Sequence, residues 1–404
     1  VTLKEPVPAG VGAARSAVVV GAGIGGLCAA ISLRQLGWSV TVLERRSQAG
    51  DGGAGISLWP NAMRVLERLG VAEEIRSVAA PLSSDGGLRL PNGRWVTRAK
   101  PGEAPLIEVV LLHRADLHSI LLGALPADCV RTGVEAVALE WLASDGGGRA
   151  KLLARGPDGP LEMSADVVVA ADGVNSTLRP HISPEALPPV YSGHTTWRGV
   201  TPPGTVPTTG GGETWGRGMK FGYLPLTGGR TYWFAELPAA LGSRNVNEQE
   251  ALLKLLAGWH EPIEALIKAT PAEQVLPLDV EYLPDLPSYV RGTAVLLGDA
   301  AHAMTPDLGQ GGCQAIEDAA VLAAHLAASD DVREALLRYD RDRRPRTQAI
   351  ARSARQMGRF SQVSNPVTVA LRNALIRLTP PRAAVRPLER ISGWIPPEVP
   401  PSNS

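Results

Sequence analysis

Hydrophobic and polar positions fall into three kinds of pattern along the chain. Val18-Val19-Val20, Ala165–Ala171 and Ala294–Leu297 are almost wholly apolar, as strands buried on both faces are. Ser39–Leu43 reads as a further strand. Lys220–Leu224 and Thr231–Glu236 alternate instead, around a turn at Thr227–Arg230, which predicts an antiparallel pair with one buried face. Gly87–Thr97 reads as a hairpin with Asn92-Gly93 as its two-residue turn. Val130–Leu142 and Lys151–Ala154 read as strands joined by a turn at Asp145–Gly148. Helical spacing marks the run from Gly26 to Gly37, then Ala62–Leu69, Leu112–Leu125, Glu248–Ile267, a long helix from Cys313 towards Ala328, and most of Val332–Leu378. Val1–Ala14 is expected as a loose arm, Ser47–Gly53 as a loop, and the proline-rich Pro380–Ser404 as an extended surface tail.

Strand, turn and helix combine most tightly at Ala17–Arg46. Gly21, Gly23 and Gly26 give G-x-G-x-x-G between the first strand and the first helix, and Glu44 ends the next strand. The first glycine permits a tight turn, the second lets backbone approach a pyrophosphate, and the third lets helix and strand pack closely. Glu44 is placed to accept from a ribose 2′-OH. This pattern predicts a dinucleotide site and leaves FAD and NAD as alternatives. Two more strands end in polar turns, Asp172-Gly173 and Gly298-Asp299. The second leads through Pro306, Gly309, Gln310, Gly311 and Gly312 into a helix start, where free N–H groups suit an electron-rich edge. Arg114, near a helix start, would meet a phosphate or a surface acid. The glycines of Gly50–Gly55 suggest either an ordinary loop or backbone lying against a flat ring.

Composition narrows the classes. With 404 residues the chain has room for two or three domains, and 40 basic against 40 acidic residues give no global pull to nucleic acid or an anionic membrane. The three cysteines are too scattered for a metal site or a disulfide framework, so a cytoplasmic location is expected. No run is long and apolar enough to predict membrane insertion. Aromatic residues crowd into Tyr191–Phe234, as core or as the wall of an apolar pocket. Arg341, Arg343, Arg344, Arg346 and Arg352 read as lying mostly on solvated helix faces.

The order of the three strand-end motifs resembles the class A flavoprotein monooxygenases, the aromatic hydroxylases that include para-hydroxybenzoate, salicylate and urate hydroxylases. The resemblance covers roughly residues 17–345 and is most specific at Gly298–Asp318, which is similar to the urate hydroxylase branch. It implies an α/β fold: a Rossmann-like FAD-binding domain of the para-hydroxybenzoate hydroxylase type (15–80, 106–183 and 288–345), an inserted antiparallel β-sheet substrate domain (81–105 and 184–287), and C-terminal helices with a proline-rich tail (346–404). It also implies FAD, with NAD(P)H as co-substrate, and delivery of one oxygen atom from O2, by way of a flavin C4a-hydroperoxide, to a small aromatic or polycyclic substrate.

By the same resemblance, Glu44 and Arg45 lie at the adenosine end and Arg114 along the phosphate–ribityl region. Asp172 serves FAD and NAD(P)H, and Asp299 holds the ribityl chain. Gly55 and Ile56 flank the isoalloxazine, and Pro306, Gly309, Gly311 and Gly312 face it. Lys220, Tyr232 and Asp307 match the basic residue, tyrosine and aspartate that contact or activate substrate in the urate hydroxylase branch. That branch has arginine where this chain has Lys220, which lacks the bidentate fork. His302 is expected to be structural. A monomer or weak homodimer is expected. The competing readings are a reductase, oxidase or halogenase of the same fold, and a non-catalytic binding protein resembling the prenyl-GTPase dissociation inhibitors. Gly393-Trp394-Ile395-Pro396 resembles part of the halogenase signature but lacks its first tryptophan.

Overall fold

The computed structural model describes residues 15–48, 54–80, 86–98, 107–142, 149–208 and 210–399. The Val1–Ala14 arm, most of the Ser47–Gly53 loop and the Asp145–Gly148 turn lie outside them. The chain opens with β1 (Ser16–Val20), α1 (Ile24–Gln35), β2 (Ser39–Glu44), β3 (Gly55–Leu58), α2 (Pro60–Arg68), α3 (Ala72–Val78), β4 (Gly86–Arg89), β5 (Trp95–Arg98), β6 (Val110–His113) and α4 (Arg114–Gly123). It continues with β7 (Val130–Thr132), β8 (Glu135–Leu142), β9 (Arg149–Gly156), β10 (Gly159–Ser164), β11 (Val167–Ala170), α5 (Arg179–Ile182), β12 (Val190–Val200), β13 (Gly211–Trp215), β14 (Lys220–Leu226) and β15 (Arg230–Pro238). Then follow α6 (Glu248–Leu255), α7 (Ile263–Ala269), β16 (Leu276–Tyr282), β17 (Val290–Arg291), β18 (Ala294–Leu296), α8 (Asp299–His302), α9 (Gly311–Ala327), α10 (Val332–Ser361), α11 (Pro366–Leu378) and α12 (Pro381–Ser392).

Two sheets carry the architecture. The first runs β17-β18-β11-β1-β2-β7 and is parallel apart from β17. Its central strands are largely buried because α1, backed by α9, packs on them and β8 and β9 also lie against β2 and β11; β11 shows all four residues buried. The close packing of α1 depends on Gly25, where a Cβ would stand 2.7 Å from the Leu297 side chain and 2.9 Å from that of Ala315. The second sheet runs β16-β12-β15-β14-β13-β4-β5, so residues 86–98 and 190–282 share one surface. Its outer face packs on α6 and α7 through Trp233, Phe221 and Leu266. A smaller sheet, β10-β9-β8, and the β3–β6 pair complete the set.

Several expectations need correction. The Gly87–Thr97 hairpin forms, but not with a two-residue turn. Within the turn only Gly93 has positive φ (+80°), and its N–H bonds Leu90 O, so the turn takes in Pro91 and Asn92 as well. The single strand expected over Val130–Leu142 is split at Gly133 (φ +71°) into β7 and β8, which join different sheets. Glu248–Ile267 is two helices, interrupted before Pro262. The tail is helical over Pro381–Ser392: Pro381 sits at the helix start, where a missing N–H breaks no bond, and the helix runs on through Pro387 at the loss of one bond. Arg343 and Arg346 are not solvated: Arg343 is 1% exposed and Arg346 half-buried.

Candidate functional site

Neighbouring parallel strands bring distant motifs to one edge. Register pairs Val20 with Leu43 and with Ala170, and Ala170 with Leu296. The residues just beyond these ends are therefore adjacent: Gly21 after β1, Glu44 at the end of β2, Asp172 beyond β11, and Gly298-Asp299 beyond β18. This is the carboxyl edge of an open parallel sheet, where β1 has a sequence neighbour on one side and a distant strand on the other, the position at which such sheets bind ligands.

The glycine turn is built by close approaches. A Cβ on Gly21, whose φ is +103°, would lie 2.3 Å from Ala171 O, and one on Gly26 would lie 2.0 Å from Gly21 O. Gly23 faces open space, with nothing within 4 Å of an added Cβ. Two residues are therefore packed against backbone, and the third leaves room before the start of α1, whose N-cap lends no side chain. Glu44 braces the turn: its Oε2 accepts from Ala22 N at 3.0 Å and its Oε1 from Arg46 N at 3.0 Å. A carboxylate offers about four lone-pair sites, so further acceptance from ribose hydroxyls stays open to it. His118 of α4, absent from the sequence reading, bonds Ala22 O at 2.7 Å. Arg45 is exposed beside Glu44.

Farther along the edge, Asp172 accepts from Leu178 N at 3.2 Å through Oδ2, while its buried Oδ1 has no protein partner. Asp299 is exposed, and its Oδ1 would lie 4.0 Å from a Cβ on Gly311. Asp318 of α9 fixes this turn from behind, accepting from Gly298 N at 2.9 Å. The loop Pro306–Gly312 lies against β3 and its flank: a Cβ on Gly312 would stand 3.2 Å from Ile56 Cδ1, and one on Gly309 3.3 Å from Trp59 Nε1. Trp59 Nε1 and Gln310 Nε2 are buried donors without protein partners. Arg114 donates its backbone N–H to Ala54 O at 2.8 Å, tying the start of α4 to the residue before Gly55. Open backbone at Gly23, an orphaned acceptor at Asp172 and orphaned donors beside a glycine loop fit a long, polar cofactor with a flat end.

The second sheet meets this loop with one face. Strand register sets Val200, Tyr232 and Leu224 in one row, Arg198, Phe234 and Gly222 in the next, and Thr196, Glu236 and Lys220 in the third. Two glycines let aromatic rings settle. A Cβ on Gly55 would lie 2.5 Å from the Tyr232 ring, and one on Gly222 would lie 2.3 Å from the Phe234 ring. Tyr232 thus spans from the sheet to β3. Burial pushes its phenol up to about 12, against the opposing pull of the Arg198 and Arg114 cations, so it stays protonated at any physiological pH.

The third row holds a buried charge cluster. Lys220 is 4% exposed; its Nζ lies 3.0 Å from Glu236 Oε2 and donates to Asp307 Oδ1. Burial lowers the ammonium, but the two carboxylates outweigh it and hold Lys220 charged. Burial raises the Glu236 carboxyl, Lys220 pulls it down, and the net direction is upward. Gln362, just past α10, donates to Glu236 Oε1 at 2.5 Å, and the Asp307 carboxylate lies against Gly358 of α10. A cavity of about 300 Å³ beside α10 reaches Glu236 and Asp307. Glu236 was missed in the sequence, although strand alternation around the recognised turn puts it opposite Lys220.

A further ionic cluster supports the loop from below. Arg343 pairs with Glu317 at 2.5 Å and Asp318 at 2.6 Å, all three buried, and Arg346 adds a bond to Glu317 at 2.8 Å. Asn61 links Glu317 to Gln310. His302, as a structural residue would, bonds Asp318 through Nε2 at 2.6 Å.

Residues 15–354 match the family model described as FAD binding domain. The chain is 34% identical over 366 residues to the aurachin C monooxygenase/isomerase of Stigmatella aurantiaca, spanning 89% of this chain and 93% of that one. It is 33% identical over 353 residues to an FAD-dependent urate hydroxylase of Klebsiella pneumoniae, spanning 84% and 88%. The solved structure of Klebsiella pneumoniae HpxO complexed with FAD and uric acid superposes with a TM-score of 0.83 at 27% identity, covering 94% of this chain and 96% of the other. The edge of strand ends and the fold around it are thus shared along nearly the whole length with flavin enzymes, and the chain belongs to the FAD-dependent aromatic hydroxylases, with FAD as its cofactor.

Proposed function

We propose that this protein is an NAD(P)H-consuming monooxygenase that inserts one oxygen atom from O2 into an electron-rich aromatic or heterocyclic ring, by hydroxylation or epoxidation. The observation that carries the reading is the contact of the cofactor edge with the aromatic sheet face, where Tyr232 rests on Gly55. FAD, once reduced by NAD(P)H, would supply the two electrons that activate O2, one atom of which goes to the ring and the other to water.

The chain's own residues bind and orient. Glu44 and Arg45 take the adenosine end, and the open backbone at Gly23 with the first turn of α1 takes the pyrophosphate. Arg114, Asp172 and Asp299 line the path from phosphate to ribityl chain. Gly55, Ile56 and the Pro306–Gly312 loop, with the N-terminus of α9, lie along the ring and favour negative charge on it. Tyr232, Phe234 and Leu224 present an apolar wall that excludes water from the reacting centre. The Tyr232 phenol, held neutral, donates a hydrogen bond to a ring substituent. Lys220 positions Asp307, and with it the loop. Its charge is answered by two buried carboxylates, so Lys220 offers no free cation to an anionic ring, and the aromatic face suits a more apolar ring than urate. Cytoplasmic location and a monomer or weak homodimer complete the proposal.

Turnover with NADPH under isotopically labelled O2, across quinolines, hydroxybenzoates and purines, tests the reading. One labelled oxygen per product is expected; an oxidised product without label would establish the oxidase alternative, and a reduced product the reductase alternative. Removing the phenol in Tyr232→Phe should raise KM about 5–10-fold and leave FAD content unchanged, the effect of one lost hydrogen bond; steady-state kinetics and the flavin-to-protein ratio read both. Asp299→Ala should weaken FAD binding roughly 10–100-fold, the range for a hydrogen bond to a charged group, measured by flavin fluorescence titration.

A further inference from the structure

A balanced net charge hides a local excess. Pro366–Ser392 contains five arginines and a single acid, Glu389. Arg372 of α11 turns inward, donating to Ser361 O at 2.5 Å with its guanidinium 5.4 Å from the Trp215 ring centre. The opposite side of the same helix is bare. Val367, Leu371, Leu375 and Leu378, spaced so that they form one stripe, are 75%, 68%, 54% and 81% exposed. Past Thr379-Pro380, α12 places Arg382, Arg386 and Arg390 four residues apart, hence on one face, and all three are exposed. None of them has an ion-pair partner among the described residues.

We propose that α11 and α12 form a docking face for an anionic lipid surface. The leucine stripe enters the headgroup–acyl boundary and the arginines meet lipid phosphates, the arrangement of an amphipathic helix lying in the membrane plane. At 13 residues α11 spans about 20 Å, too short to cross, and no helix among the described residues is long and apolar enough to do so. Charge argues against a second copy as occupant. An isologous two-fold contact through this segment would set its arginines against their own copies, with one glutamate per chain to answer them.

The full-length holoprotein is sedimented with phosphatidylcholine vesicles, with and without phosphatidylglycerol. Binding is expected to the anionic vesicles at about tenfold the level seen with phosphatidylcholine alone, and to fall with added salt. Leu371→Glu with Leu375→Glu should abolish it. The triple Arg382→Gln, Arg386→Gln, Arg390→Gln variant should weaken it by roughly fivefold per arginine. Flavin content and melting temperature serve as the folding check for both. Absence of binding to anionic vesicles, or binding untouched by both variants, overturns the proposal. So does a wild-type dimer that ignores vesicles and becomes monomeric in the leucine variant, which would assign the stripe to self-association.

Discussion

Lys220→Met should leave a folded but weakened protein whose remaining stability falls as pH rises. Removing the ammonium strands Glu236 and Asp307, two buried carboxylates that shared it, and breaking a buried pair from one side costs about 3–5 kcal/mol. Glu236 responds by keeping a proton. It is already raised by burial, and without Lys220 only the hydrogen bond from Gln362 still pulls it down. A carboxyl whose folded-state pKa exceeds its unfolded value binds its proton more tightly in the native state. Its contribution is therefore present at low pH and lost as pH climbs above the ordinary carboxylate range. Melting temperature in the variant should decline from about pH 5 to pH 8 more steeply than in the wild type, and Lys220→Met with Glu236→Gln should recover part of the loss. Because Asp307 belongs to the Pro306–Gly312 loop, kcat should also fall, on the order of a hundredfold for an ångström-scale displacement, with FAD still bound. If kcat and the pH profile of stability both match the wild type, Lys220 does not position the loop.

Arg343→Met should damage stability to a similar degree. Arg343 answers two buried acids at once, Glu317 and Asp318, and it also bonds the Gln314 side chain. Burial raises the Asp318 carboxyl, but His302 and Arg343 outweigh it and hold it at about 2. A group depressed in this way stabilises the fold above its unfolded value near pH 4, and the contribution is lost as pH falls towards 2. The substitution should cost about 3–5 kcal/mol and move acid unfolding to higher pH. Asp318 also accepts from Gly298 N, so FAD should be released at a lower temperature along with the unfolding, followed by flavin fluorescence during heating. By contrast, Arg338→Ala removes only an exposed pair with Glu334 on the same helix and should leave the melt close to wild type.

These two clusters mark where the sequence stops being readable. Gly21, Asp172 and Asp299 were legible because each comes just after a buried strand, and a parallel sheet then forces those ends together; Gly26, inside α1, was legible from its spacing to Gly21. Lys220 and Tyr232 were legible as one face of an alternating hairpin, and Glu236 follows from the same alternation. Arg343 was not. Its helix is rich in arginine and reads as solvated, and the acids that pay for its burial stand on α9, which only the packed fold brings alongside. Gly25 and His118 stayed hidden for the same reason, since their partners, Ala315 with Leu297 and the carbonyl of Ala22, come from separate elements. The α12 helix was obscured by composition: proline suggests extension, yet Pro381 opens the helix and Pro387 is carried inside it.

The most direct test of the central claim is a visible absorption spectrum of the purified protein, followed by anaerobic addition of NADPH with and without aromatic candidates. A flavin spectrum that bleaches, and bleaches faster in the presence of one compound class, is the predicted result. A colourless protein that takes up no added FAD would contradict it.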